Sequence, residues 1–98
     1  MTVRQLREAS DDLEQAFDYY ESRQHGLGDD LLTKYRRGID LMLRHPNAWQ
    51  PLDDTFRQYR IHRFPYGIVY HVSEATDELV IVAFSHLSRA PGWWRERT

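Results

Sequence analysis

Residues 57–70 read RQYRIHRFPYGIVY. Arg57, Tyr59, Ile61 and Arg63 alternate with Gln58, Arg60 and His62, and after Phe64-Pro65-Tyr66-Gly67 the chain resumes with Ile68, Tyr70 and Val72 alternating with Val69, His71 and Ser73. A period of two marks a strand with two different faces. Proline removes a backbone donor and glycine tolerates positive φ, so the interruption is a turn between two neighbouring strands. One face of this pair is apolar enough to be core. The other carries Arg and His, unusual cargo for a purely structural hairpin.

Working outward, residues 74–78 (EATDE) are a polar turn, and Leu79 to Phe84 (LVIVAF) is almost wholly apolar, the pattern of a strand covered on both sides. The chain leaves this strand through His86-Leu87-Ser88-Arg89-Ala90-Pro91-Gly92, and Trp93 to Arg97 reads as a single helical turn. Upstream, Ala9, Leu13, Ala16, Phe17 and Tyr20 form one apolar helical stripe, with Ser10 as the expected N-cap and an end near Gln24. His25-Gly26-Leu27-Gly28 is a turn. A second stripe, Leu31, Leu32, Tyr35, Ile39, Met42 and Leu43, predicts a helix from an N-cap at Asp29 to about Arg44, stopped by Pro46. The short connection predicts an antiparallel helical hairpin. Thr2 to Leu6 reads as a short first strand. The expected fold is α+β, ordered β-α-α-β-β-β, with the hairpin packed on one face of a small antiparallel sheet. The 98 residues are expected to form one domain, 1–98, able to build a core without cross-links.

Composition excludes several chemistries. There is no cysteine, hence no disulfide framework, thiol nucleophile or thiolate metal site, which suits a reducing cytoplasm. No apolar run has the length of a membrane span, and the first ten residues lack the apolar stretch of a secretory signal. No Walker loop, GxSxG, HExxH or dinucleotide fingerprint is present, and five scattered histidines do not have metal-ligand spacing, so no metal or cofactor is expected. The paired acids Asp11-Asp12, Asp29-Asp30 and Asp53-Asp54 read as caps and solvated turns.

Charge is uneven beneath a net −2: residues 1–56 hold 7 Lys and Arg against 11 acids, residues 57–98 hold 6 Arg against 4. The second half is the anion-facing candidate, though far from the basic footprint of a dedicated nucleic-acid binder. His86 directly follows the buried strand and Arg89 lies three residues on. A histidine to move protons and arginines to stabilise phosphoryl charge would suffice for metal-free RNA cleavage. The simpler reading is that His86 and Arg89 brace the C-terminal turn. Trp93 and Trp94 suit base stacking, but more simply cap a core edge or fill a partner interface. An arginine-bearing sheet face also suits an acidic protein partner, with no chemistry at all.

Five stretches together resemble one family: EASDDLEQAFDYYE (8–21), GLG (26–28), Pro46 after the second helix, Arg57 followed by RFPYGIVY (63–70), and HLSRAPGWWRER (86–97). In order and spacing this chain resembles the RelE/ParE superfamily of small bacterial toxins from type II toxin–antitoxin (plasmid stabilisation) modules, and the resemblance covers nearly the whole chain. It implies the same β-α-α-β-β-β fold and a cognate antitoxin that wraps the helices and sheet and covers the basic face. RelE-like members are ribosome-dependent mRNA endonucleases, whereas ParE-like members inhibit DNA gyrase. The RelE-like arginine near the start of the third strand is absent here, where the chain reads Tyr66-Gly67-Ile68, and Lys34 is the one lysine. The hairpin with GLG and the FPY strand are ParE-like. The expectation is therefore a cytoplasmic ParE-like toxin acting on gyrase by protein binding, with no sequence-specific DNA binding of its own. The alternatives are an mRNA interferase using His86, Arg89 and Arg57 catalytically, and a non-toxic relic that binds antitoxin only. Partner-binding residues are expected to be Arg57, Arg60, Arg63, Tyr70, Trp93 and Trp94.

Overall fold

A computed structural model describes all 98 residues. Its elements are β1 (Thr2–Gln5), α1 (Arg7–Arg23), α2 (Leu27–Arg44), β2 (Gln50–Pro51), β3 (Arg57–Arg60), β4 (Tyr66–Ser73), β5 (Glu78–His86) and a short 3-10 turn (Arg95–Arg97). The fold is α+β: two helices on a five-stranded sheet ordered β1-β5-β4-β3-β2. β2 to β5 are antiparallel neighbours, as the short loops require. The sheet is mixed rather than purely antiparallel, because β1 runs parallel to β5 with Val3 opposite Leu79 and Gln5 opposite Ile81. The helical hairpin carries the chain from one edge of the sheet to the other, so the last strand returns beside the first in the same direction. LVIVAF is thereby flanked by β1 and β4, and it is buried throughout.

Three local details differ from the sequence expectation. Ser10 lies inside α1, its hydroxyl accepting a hydrogen bond from Gln5 Nε2 (2.9 Å). α2 begins at Leu27, two residues before Asp29, because its cap comes from the preceding helix. The Glu21 carboxylate accepts the N–H groups of Gly26 (3.0 Å) and Gly28 (2.9 Å), donors that would otherwise be orphaned at a helix start. Gly26 has φ 89°, and a Cβ on Gly28 would stand 2.7 Å from the Phe17 ring, so the GLG stretch lets the chain reverse tightly against α1. β3 ends at Arg60, three residues before the alternation does, because Ile61 and Phe64 turn inward to the core and Arg63 takes φ 73°.

The core has two compartments. Between helices and sheet lie Ala9, Ala16, Leu31, Tyr35, Met42, Ile68, Tyr70, Leu79, Ile81 and Phe84. On the opposite sheet face lie Phe56, Val69, Val80, Val82, Ala83 and Trp94, roofed by the 52–56 loop and the C-terminal tail. A bulge opposite Val69 and Tyr70 shifts the parity of β5: Ile81 faces the helices, Val82 and Ala83 both serve the second compartment, and Phe84 faces the helices again.

β1 releases β5 at Leu6, whose N–H donates to Ile81 O (2.9 Å). The remaining open edge of β5 is covered by side chains. Asp12 Oδ2 accepts the Phe84 N–H (3.1 Å), and Arg97, paired with both carboxylate oxygens of Asp12 (2.6 and 2.9 Å), donates to Val82 O (3.1 Å). This mostly buried bidentate pair raises the Arg97 pKa and closes an edge that would otherwise be free to pair with another strand.

Candidate functional site: a cationic pocket at the open end of the sheet

The end of β5, the end of β3 and the tail enclose a pocket of about 230 Å³. Twelve residues line it, including Arg60, Arg89, Arg95 and His86, and none is acidic. Gln58 and Ser85 contribute polar lining, and Leu52, Leu87, Pro91 and Trp94 supply apolar parts. The Gln58 side chain lies flat across β4 because Gly67 has no side chain; a Cβ there would meet it at 2.6 Å.

His86 is half-buried, its ring edge-on to Tyr66 at 5.1 Å. Its Nδ1 accepts the Ser88 backbone N–H (3.0 Å), with the Ser88 hydroxyl 2.7 Å away. A donor N–H at Nδ1 requires the lone pair there, so the ring hydrogen sits on Nε2. No carboxylate orients the imidazole and no arginine side chain hydrogen-bonds to it. Arg89 donates its backbone N–H to His86 O (3.1 Å), while its guanidinium lies over the Trp93 ring at 3.5 Å. The Trp93 indole N–H donates to Ser85 Oγ (2.9 Å), which pins the platform beneath Arg89. Arg95 pairs with Asp53 and passes over Trp94 (4.8 Å). Asp53 also accepts the N–H groups of Phe56 (2.7 Å) and Thr55 (2.8 Å). These backbone bonds first, and Arg95 after them, bring its pKa down to about 2.

The residues singled out in the sequence are distributed as follows. His86, Arg89 and Arg60 share this pocket, and Trp93 and Trp94 build its walls or supports. Arg57 is elsewhere: it faces the helical side with Tyr70, its register partner, and donates to Trp49 O (2.8 Å). Tyr70 is fully buried, with its hydroxyl given to Pro46 O (2.6 Å) and its pKa pushed up to about 12 by burial. Trp94 is 3% exposed. Arg63 is exposed on the 61–65 loop. Sequence reasoning did not select Arg95, Gln58, Asp53 or Ser88. Arg95 had a signal, a cation directly after two tryptophans in a chain whose second half is basic. Asp53 had none, since its partner lies 42 positions away.

Chemically, the pocket offers fixed cationic donors to an anion. It does not assemble the Arg57–His86–Arg89 trio, and no residue in it stands as a second acid or base opposite His86. No group of three or more His, Asp or Glu side chains is placed to hold a metal ion.

The chain matches the family described as "ParE toxin of type II toxin-antitoxin system, parDE" over residues 3–91. It belongs to the ParE toxin family. As a ParE-family protein it is the toxin of a type II toxin–antitoxin module, and membership implies a cognate antitoxin. Its fold is similar to a solved chain described as "Chromosomal ParDE TA system from P. aeruginosa", with a TM-score of 0.72 over 90% of this chain and 97% of that one, at 17% identity. No curated protein gives a match. The ParE match ends at Pro91, so the pocket residues Gly92, Trp94 and Arg95 lie beyond it.

Proposed function

We propose that this ParE-family toxin acts in the cytoplasm as one domain, inhibiting DNA gyrase by binding it, and that its cognate antitoxin neutralises it by direct contact. The observation that carries the reading is the separation of the residues a nuclease would need. Arg57 is committed to Trp49 O on the helical side, and His86 has its Nδ1 occupied by Ser88 and no acid or base opposite it. General acid–base cleavage needs both partners within reach of the scissile group. Protein binding needs neither. The structure also has an acidic surface on α1, at Asp11, Glu14 and Asp18, which disfavours close approach to an RNA phosphate field.

The pocket shared by His86, Arg60 and Arg89 supports the second reading, an mRNA endonuclease that assembles its site on the ribosome. The two separate on a pulse-label experiment. The chain is expressed without antitoxin, and thymidine and methionine incorporation are followed over the first minutes. Early loss of DNA synthesis with translation spared is expected, together with inhibition of supercoiling by purified gyrase. Early loss of translation with cleaved mRNA, abolished by His86→Ala, would replace the gyrase reading with the nuclease one. Neither loss, with folded protein accumulating, would leave antitoxin binding as the function.

A further inference from the structure

We infer that the pocket at the open end of the sheet receives an acidic side chain, Asp or Glu, from the antitoxin. This rests on the antitoxin reading above and names the site and chemistry of one contact. Three arginines line the pocket without an acid among the lining residues, and they differ in how far they are already satisfied. Arg95 is neutralised by Asp53. Arg60 is exposed and makes no ion pair within the chain. Arg89 is held flat on Trp93 at 3.5 Å with its guanidinium edge unbonded, and Trp93 is itself fixed by Ser85. A guanidinium whose face is stacked and whose edge is free is preorganised for bidentate pairing with a carboxylate, so less freedom is lost on binding. The His86 Nε2–H adds a neutral donor.

The surroundings favour a peptide over a nucleic acid. Leu87 is 38% exposed at the rim and Leu52 lies across the pocket, seats for apolar residues flanking the acid. A base would need an open aromatic face. Trp94 is buried, and Trp93 already lies against the guanidinium groups of Arg89 and Arg97. The wall depends on the tail: Gly92 at φ 86° lets Arg95 pass close, since a Cβ there would stand 2.9 Å from Arg95 Nε.

The test compares antitoxin affinity of the purified toxin with that of the Arg60→Gln/Arg89→Gln variant, both first shown to have the same urea midpoint. Loss of tight charge-assisted pairing should weaken binding by about tenfold or more and flatten its salt dependence, with stability unchanged. Equal affinity for toxin and double variant overturns the inference and leaves antitoxin recognition standing. If wild-type toxin does not bind antitoxin, the antitoxin reading fails, and a blocked Leu-Glu-Leu peptide still decides the pocket. Shifts of the His86–Arg89 amide resonances with that peptide, absent with Leu-Gln-Leu and absent in the double variant, would retain an acidic-peptide site; no such shift overturns it. A nuclease-resistant RNA oligonucleotide that displaces the peptide and shifts the same amides more strongly would overturn it in favour of a polyanion site.

Discussion

Asp53 is the residue whose environment departs furthest from its place in the sequence. Within Asp53-Asp54 it reads as a solvated turn acid, and it does make a turn, accepting the N–H groups two and three residues on. It also holds Arg95 and so ties the 52–56 loop to the tail. Its pKa falls from the ordinary 3.8 to about 2, so the charged form stabilises the fold. That stability is fully present above the unfolded pKa and is lost as pH falls from about 4 through about 2. Asp53→Asn should therefore be less stable than wild type at neutral pH, with the gap closing as pH falls toward 2; urea unfolding at a series of pH values checks this. A constant gap would mean that the charge on Asp53 contributes nothing. Period-two alternation puts Arg57 beside Tyr59 and on the face opposite Arg60, so its separation from the pocket was already implied by the strand pattern.

At the scale of elements, the helical hairpin depends on Glu21 and two glycines more than on helix propensity. Glu21 caps α2 from α1, with the backbone N–H of Gly26 as the main cause of its lowered pKa. Gly28 is where α2 passes against the Phe17 ring of α1, with no room for a Cβ. Gly28→Ala places a methyl where the aromatic ring now lies and should cost about 1–3 kcal/mol, the range for overpacking. Phe17→Leu in that background should recover part of the loss. Urea midpoints at unchanged slope measure both. A neutral Gly28→Ala would mean the helices separate freely, and would demote the GLG stretch to a loop of no special geometry. Helix existence, C-terminal ends and apolar faces were legible from spacing, whereas the starts and caps were not, because the capping group of α2 sits on the helix before it.

At the scale of the molecule, the tail is part of the fold. Trp94 fills the second compartment against Phe56 (4.6 Å between rings) with Val69, Val80 and Val82, and Arg97 closes the β5 edge. Trp94→Ala should destabilise by about 3–5 kcal/mol through the cavity it leaves, with Trp94→Phe milder; denaturant unfolding reads this. Removal of residues 93–98 would uncover that compartment, so loss of activity on truncation would report unfolding as readily as loss of a target surface. Point variants of Arg60 and Arg89 avoid that confusion. No helix is long and apolar enough to cross a membrane.

Local periodicity and turn chemistry are properties of neighbours in the chain, and they determined the element order, the buried LVIVAF strand, the hairpin and the stretches that mark the family. The parallel pairing of β1, the second core compartment, the Asp12–Arg97 closure and the arrival of Arg60 beside the segment from His86 to Arg95 join residues tens of positions apart. No short-range pattern encodes such distances. They follow only once the sheet has brought the end of β3, the end of β5 and the tail to one place, and the pocket exists because these three pack together.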